Sequence, residues 1–442
     1  MENRKSILKN FEKYKGYTDD RVNHGIEQNR KAFATITIKN KDGSPLSNAA
    51  VKAEQTEHSF KYGANIFMLD ELENDEKNRL YKEYFKGAFN MATIPFYWSD
   101  LEPEKGKTRY GKNSPKIYRR PATDLCMEFC RENNIEPREH ALAYEHFFPD
   151  WLKDESVAGI KRELERRFGE IAERYADKIN TIEVTNEMEW SEGKTAFYRE
   201  SDYVEWCYKT AAKYFPNNQL VINEWSGVWE DYCETLSRYY LTIENALLKG
   251  AKIDAVGMQY HMFYKKEEEA VKTEKFYNPL VLYKTLDTYS KLHLPVQITE
   301  VTIPAYSNER EDEDLQAEII ERLYSIWFSH PNVEQIIYWN LVDGYAAFAP
   351  QGDMTSGENY YYGGLLRFDL TPKPAYYTIK NLFEKKWHTS ENLTADCNGT
   401  VAFKGFKGKY DLSFDVGGKK TVKKIEITGN YQKENNIEIV VD

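Results

Sequence analysis

The sequence predicts an α/β protein: a (β/α)₈ barrel with an accessory β-sandwich-like domain formed by the N- and C-terminal segments. Three observations predict it. Eight short apolar segments recur through the middle of the chain, separated by amphipathic stretches of helix length. β-patterned segments stand outside that rhythm at both ends. The chain has 442 residues, which suits one large barrel plus an appendage, against about 100–200 residues for an ordinary domain. A doubly wound sheet also alternates strand and helix, and spacing alone leaves it open.

In chain order, residues 1–31 are polar and charged and form an N-terminal helical segment. Residues 33–39 (FATITIK) alternate and are rich in β-branched side chains, which predicts a strand. A turn at Lys41–Pro45 leads to a second strand at 50–55, and the two are expected to form a β-hairpin. Together they make 32–60 the N-terminal β segment of the accessory domain. The barrel is expected over 61–386. Its strands are predicted at Tyr62–Phe67, Ala88–Thr93, Glu136–Ala143, Thr181–Thr185, Leu220–Asn223, Ala255–Tyr260, Val296–Thr299 and Gln335–Trp339. Before the fourth strand, Val157, Ile160, Leu164, Phe168, Ile171 and Tyr175 recur at the three-to-four spacing of a helix. Over 387–442 the pattern returns to β, with strands at Thr400–Phe403, Lys409–Phe414, Lys423–Thr428 and Ile437–Val441. This C-terminal segment is expected to share one sandwich with the N-terminal strands.

Composition narrows the function. Lys plus Arg total 60 and Asp plus Glu 71, a net charge of −11. An acidic chain without basic blocks is a poor nucleic-acid or anionic-membrane partner. No apolar run approaches the ~20 residues of a membrane span, and the first residues show no apolar signal region. A cytoplasmic location is the expectation, with secretion the alternative if a leader has been removed. The five Cys are too few and too scattered for a disulfide framework. Gly106–Asn113 (GKTRYGKN) lacks the Ser/Thr that completes a phosphate loop. The eight His show no zinc-protease spacing. No metal or organic cofactor is expected. Oligomeric state is left open.

The chemistry lies at the strand ends, because barrel active sites sit at the carboxyl ends of the strands. Glu187 follows the fourth strand and Glu300 ends the seventh. Two carboxylates at one barrel mouth suit retaining glycoside hydrolysis, in which one protonates the leaving oxygen and the other attacks the anomeric carbon. The remaining strand ends supply His140, Asn186, Asn223-Glu224, Gln259-Tyr260-His261 and Trp339-Asn340. Aromatic faces and hydrogen-bonding groups in such numbers suit a sugar cleft.

These residues resemble glycoside hydrolase family 10, the retaining endo-β-1,4-xylanase family, over roughly 48–384. The resemblance is carried in family order by QTEHSFKYG (55–63), FNMAT (89–93), LEPEKG (101–106), REHALAY (138–144) and FPDWL (148–152). It continues with RYADKINTIEVTNE (174–187), LVINE (220–224), IDAVGMQYH (253–261), PVQITE (295–300), HPNVEQIIYW (330–339) and FDLTPKPAYY (368–377). It implies that Glu187 is the general acid/base and Glu300 the nucleophile. Asn186 would bind the sugar 2-hydroxyl, Gln259 and His261 would orient Glu300, and His140 and Trp339 would shape the sugar site. Tyr144 and Glu224 complete the expected substrate-binding set, although Glu224 equally suits a structural role. Tyr260 and Trp225 are either sugar platforms or core.

Departures concern specificity. The Glu, Asn and Lys that bind the glycone in the family are replaced by the apolar run Ile94–Trp98. Tyr144-Glu145 stands for Trp-His, Thr302 for an Asp, and Ala346–Phe348 for a Trp. The expected function is cleavage of β-1,4-linked xylan or xylo-oligosaccharides, with an oligosaccharide or polysaccharide as partner. The alternatives are an exo-acting or decorated-substrate β-glycosidase, or a non-catalytic carbohydrate-binding protein on the same scaffold.

Overall fold

The computed structural model describes residues 4–441 except 192, 194, 231, 232, 430 and 431. It contains a closed parallel barrel and two further sheets. Strands are numbered in chain order. β1 (Lys31–Asn40) and β2 (Ala50–His58) precede the barrel. The barrel strands are β3 (Lys61–Asn65), β4 (Met91–Pro95), β5 (Glu136–His140), β6 (Thr181–Asn186), β7 (Gln219–Glu224), β8 (Ala255–His261), β9 (Val296–Thr302) and β10 (Val333–Tyr338). They are ordered sequentially, and β10 closes on β3. Every residue of β4, β6 and β9 is buried. That explains their apolar runs, since parallel strands are covered on both faces. Between β5 and β6, the helix Val157–Tyr175 starts at Ser156, whose side chain accepts from the Gly159 N–H. Its Ile160, Leu164, Phe168, Ile171 and Tyr175 are buried, the stripe that the spacing predicts.

The other sheets use β11 (Ser390–Thr394), β12 (Thr400–Phe406), β13 (Gly408–Val416), β14 (Lys419–Ile427) and β15 (Asn436–Val441). One has the order β12-β1-β15, the other β11-β2-β13-β14. β1 runs antiparallel to β12 and parallel to β15. Ala34, Ile36 and Ile38 of β1 share one core with Val51 and Ala53 of β2 and with Tyr410, Leu412 and Phe414 of β13. This is a two-layer sandwich built from strands of both chain ends.

The expected hairpin is corrected. β1 and β2 belong to different sheets. Alternation gives each strand one apolar face, and here the two faces meet across the sandwich instead of lying side by side in one sheet. Residues 41–49 carry the chain from one layer to the other. β11 has no counterpart in the sequence prediction. It is an edge strand on β2, and of its five residues only Leu393 is even half-buried.

The chain divides into two compact units. The barrel unit holds the described residues up to Tyr14, then Tyr62–Arg322 and Asn332–Tyr377. The sandwich unit holds Lys15–Lys61, Leu323–Pro331 and the residues from Thr378 on. These limits differ from the expected ones: the helical segment is divided after Tyr14, and the barrel unit ends at Tyr377 instead of residue 386. Specific contacts explain the division. Arg4 donates to Glu269 at 2.7 and 2.9 Å and to Asp312 at 3.0 Å within the barrel unit. In the sandwich unit, Phe328 stacks on Trp387 at 4.0 Å and meets Phe60 edge-on at 4.9 Å. Among the described residues, no helix is long and apolar enough to cross a membrane.

Candidate active site

The carboxyl ends of the barrel strands open into a cleft of about 820 Å³ lined by Asn186, Glu187, Gln259, His261, Glu300 and Trp339, among others. Glu187 follows directly on β6, and its φ of 51° lies in the left-handed region. Its N–H donates to the Asn223 carbonyl at 3.1 Å. A non-glycine residue held there is strained, and such strain concentrates at functional sites.

One amide links the two carboxylates. Gln259 Nε2 lies 2.9 Å from Glu187 Oε1 and 3.1 Å from Glu300 Oε1, so these oxygens are at most 6.0 Å apart, the sum of the two. Asn223 Nδ2 donates to Glu300 Oε1 at 3.2 Å, and His261 Nε2 lies 3.2 Å from Glu300 Oε2. The Tyr144 hydroxyl donates to Glu187 Oε2. Each carboxylate is therefore held at both oxygens.

A buried ion network lies behind Glu300. Glu183 accepts from Arg138 and lies 2.7 Å from His140 Nδ1. His140 Nε2 is 2.9 Å from the Tyr97 hydroxyl. Burial raises the Glu183 carboxyl, but His140 and Arg138 outweigh it and bring it below the ordinary range. Burial likewise pulls His140 down, and Glu183 more than reverses it, so this imidazole is raised. Burial pushes Glu300 well up; the His140 and Arg138 cations oppose that, while Glu183 and Glu187 add to it. His140, Glu183 and Glu300 offer ligand atoms within 4.8 Å of one another, a spacing that would suit a metal. Arg138 already supplies positive charge at Glu183, so the donor set fits an ion-pair network better than a cation site.

His261 is pushed down to about 4 by burial, against the pull of Glu358 and Glu187. Its Nδ1 is 2.9 Å from the Thr302 hydroxyl. With Glu300 ionised, the neutral ring carries its proton on Nε2 and donates to the carboxylate, while Thr302 donates to Nδ1.

Residues 53–382 match the profile of Glycosyl hydrolase family 10. The chain belongs to that family. Among curated proteins it is similar to the anti-sigma-I factor RsgI6 of Acetivibrio thermocellus, 25% identical over 90% of this chain and 47% of that protein. It is also similar to endo-1,4-beta-xylanase B of Thermotoga neapolitana, 26% identical over 74% of this chain and 88% of that enzyme. Native xylanase 10B from Thermotoga maritima superposes with a TM-score of 0.58 at 24% identity, covering 74% of this chain and 96% of that one. The chain spans about half the length of RsgI6, and 39% of Arabidopsis thaliana endo-1,4-beta-xylanase 1.

Against this family 10 frame, the structure brings Glu187, Glu300, His140, Asn186, Gln259, His261, Trp339 and Tyr144 to one cleft. Glu224 departs from the expected binding set. It is fully buried, and its oxygens accept the Trp225 and Glu189 N–H groups at 2.9 and 3.0 Å. Burial pushes its carboxyl up to about 8, against those two bonds. It anchors the loop after Glu187. Tyr260 is core: it is fully buried and donates to the Phe276 carbonyl. Trp225 lines the cleft and meets Trp190 edge-on at 4.9 Å, with Trp190 59% exposed. Glu145 accepts Ser191 Oγ at 2.6 Å, and the Gly193 and Thr195 N–H groups at 3.1 and 3.2 Å.

Sequence reasoning missed Phe67, Tyr97, Arg119, Arg120, Phe147 and Glu358, all of which line the cleft. Tyr97 stacks on Phe147 at 3.9 Å beneath the Arg120 guanidinium. The apolar run 94–98 was the available signal for Tyr97, and the end of the predicted strand Tyr62–Phe67 was the signal for Phe67; nothing in local spacing marks the others. A second hollow of about 1120 Å³ lies against the helices Thr123–Glu132 and Val157–Tyr175 and contains neither Glu187 nor Glu300. Its charges pair among themselves, as in Arg174–Asp124 and Arg166–Glu170.

Proposed function

We propose that this chain hydrolyses β-1,4-linked xylan or xylo-oligosaccharides with retention of configuration. The Gln259 bridge carries the reading, because it keeps the two carboxylate oxygens within 6.0 Å (two bonds of 2.9 and 3.1 Å). Retaining enzymes hold their carboxyls about 5–5.5 Å apart, against about 6.5–9.5 Å when a water must fit between. Glu187 protonates the leaving oxygen while Glu300 attacks the anomeric carbon. The glycosyl ester on Glu300 then yields to water deprotonated by Glu187. Asn186 takes the sugar 2-hydroxyl, and Gln259 and His261 hold Glu300 on line. Family membership supports the glycan class, and the xylanases among the relatives support xylan.

Two variants test the roles. Glu300→Ala abolishes turnover of xylo-oligosaccharides and aryl β-xylosides alike. Glu187→Ala leaves the first step intact for aryl substrates with good leaving groups, seen as a burst of phenol, and abolishes cleavage of xylohexaose. Equal loss on both substrates contradicts the role of Glu187. Any turnover sets the chain apart from a non-catalytic binding protein.

One observation favours an exo-acting variant of this function. The His146 and Phe348 rings meet edge-on at 6.0 Å. They come from the loops after β5 and β10, and both line the cleft. A cleft bridged there favours chain ends. Products released from xylohexaose one end unit at a time support that variant, and mid-chain cleavage supports the endo mode.

A further inference from the structure

We propose that Arg119, Asn340 and Glu358, held together by hydrogen bonds in the cleft, form a site for the neutral sugar unit next beyond the one attached to Glu300. The inference rests on the glycosidase reading above and names the residues that select its substrate.

The three residues form one hydrogen-bonded set. Asn340 Oδ1 accepts both terminal nitrogens of Arg119 at 3.3 Å, and Asn340 Nδ2 donates to Glu358 Oε2 at 3.0 Å. The Ala347 N–H also donates to Glu358 Oε2, at 3.2 Å. Arg119 and Glu358 both line the cleft. Arg119 is 6% exposed. Its other acceptor is the Tyr345 carbonyl, and its buried Nε has no partner among the described residues. No carboxylate meets it at ion-pair distance among the described residues, and burial lowers its pKa, with Glu358 opposing at longer range. Glu358 in turn accepts both of its bonds at one oxygen, leaving Oε1 for a ligand. A buried cation held only by neutral acceptors and a carboxylate with a spare oxygen are an incomplete polar set. Sugar hydroxyls, which donate and accept at once, would complete it.

Position and charge identify the sugar. Asn340 follows Trp339, whose ring packs 5.4 Å from His140 and 6.0 Å from His261, which touches Glu300. Phe67 lies between the Arg119 guanidinium, at 5.7 Å, and Trp339, at 5.2 Å. The set therefore stands one aromatic layer away from Glu300, on a different wall from Trp190 and Trp225. One cation and one anion flank a single amide, so the set has no net charge and suits a neutral polyol better than a uronic acid.

The test compares aryl β-xyloside, with one glycone unit, and aryl β-xylobioside, with two. Wild type is expected to favour the xylobioside in kcat/KM. Arg119→Met and Glu358→Gln each lower the xylobioside-to-xyloside ratio about tenfold, mainly through KM. Arg119→Lys recovers part of it. A general loss of structure lowers both substrates together, so an unchanged ratio overturns the inference. If neither substrate is turned over, the glycosidase reading fails on its own. Calorimetry with xylobiose then decides: binding by wild type that Arg119→Met weakens supports the site, while equal binding, or none, overturns it.

Discussion

At Glu300, burial raises the pKa and the Glu183 and Glu187 carboxylates add to it, while the His140 and Arg138 cations oppose it; Asn223, Gln259 and His261 contact the carboxylate directly. A nucleophile must be ionised. Because its pKa is raised, activity is present above that pKa and is lost as pH falls through it. The acid limb of kcat/KM is therefore expected above the ordinary carboxylate value of about 4.3. Burial pushes His261 down to about 4, and Thr302 meets its Nδ1 with a neutral hydroxyl, so the ring stays neutral. Thr302→Asp places a carboxylate at Nδ1, stabilises the imidazolium and puts a cation against Glu300. The acid limb then moves down by roughly half to one pH unit, whereas Thr302→Val leaves it in place. A pH profile on an aryl β-xyloside checks both.

Elements place these groups, and their contributions are separable. The helix Val157–Tyr175 depends on the Ser156 cap, which accepts from Gly159 at 3.1 Å. Ser156→Ala is expected to cost about 1 kcal/mol, read as a lower urea midpoint with activity retained at 25 °C. The Glu145 loop acts differently. Glu145 holds Ser191, Gly193 and Thr195, just beyond Trp190 at the cleft lip. Glu145→Ala frees that segment, so KM for xylohexaose rises several-fold with kcat less affected, and proteases cut near residue 195 sooner. Steady-state kinetics and a proteolysis time course read the two effects. The strands were largely legible because parallel strands are buried on both faces, as in β9. The pairing of β1 and β2 was not, because alternation shows which face is buried and not which strand lies alongside. Glu145 was visible only as a departure from the family, since its partners lie 46–50 positions along the chain.

At the scale of the whole molecule, the site was legible where it coincides with strand ends. It was illegible where long loops deliver residues such as Arg119 and Glu358, whose neighbours are set by tertiary closure. The division into units was illegible for the same reason: the sandwich unit is assembled from three stretches separated by the barrel sequence. Within it, at the end of β2, His58 packs against Phe328, Phe383 and Phe406. Its Nε2 lies 3.0 Å from the Trp387 carbonyl, and its Nδ1 accepts the Phe60 N–H at 3.3 Å. Both ring nitrogens are thus satisfied in the neutral tautomer with its proton on Nε2, and a second proton would point at the Phe60 N–H. Burial accordingly pushes His58 down to about 3, from a reference of 6.5. Between those values the unfolded chain binds a proton that the folded unit does not. Stability therefore falls as pH drops through this window, by at most about 1.4 kcal/mol per pH unit from this one group. His58→Gln removes the titration while retaining polar atoms near both partners. The variant is expected to be less stable than wild type at pH 7, with the gap narrowing at pH 4.5. Urea unfolding at the two pH values, followed by fluorescence and by circular dichroism, tests it. A gap that stays constant across the window shows that the buried imidazole is not what couples the sandwich to acid.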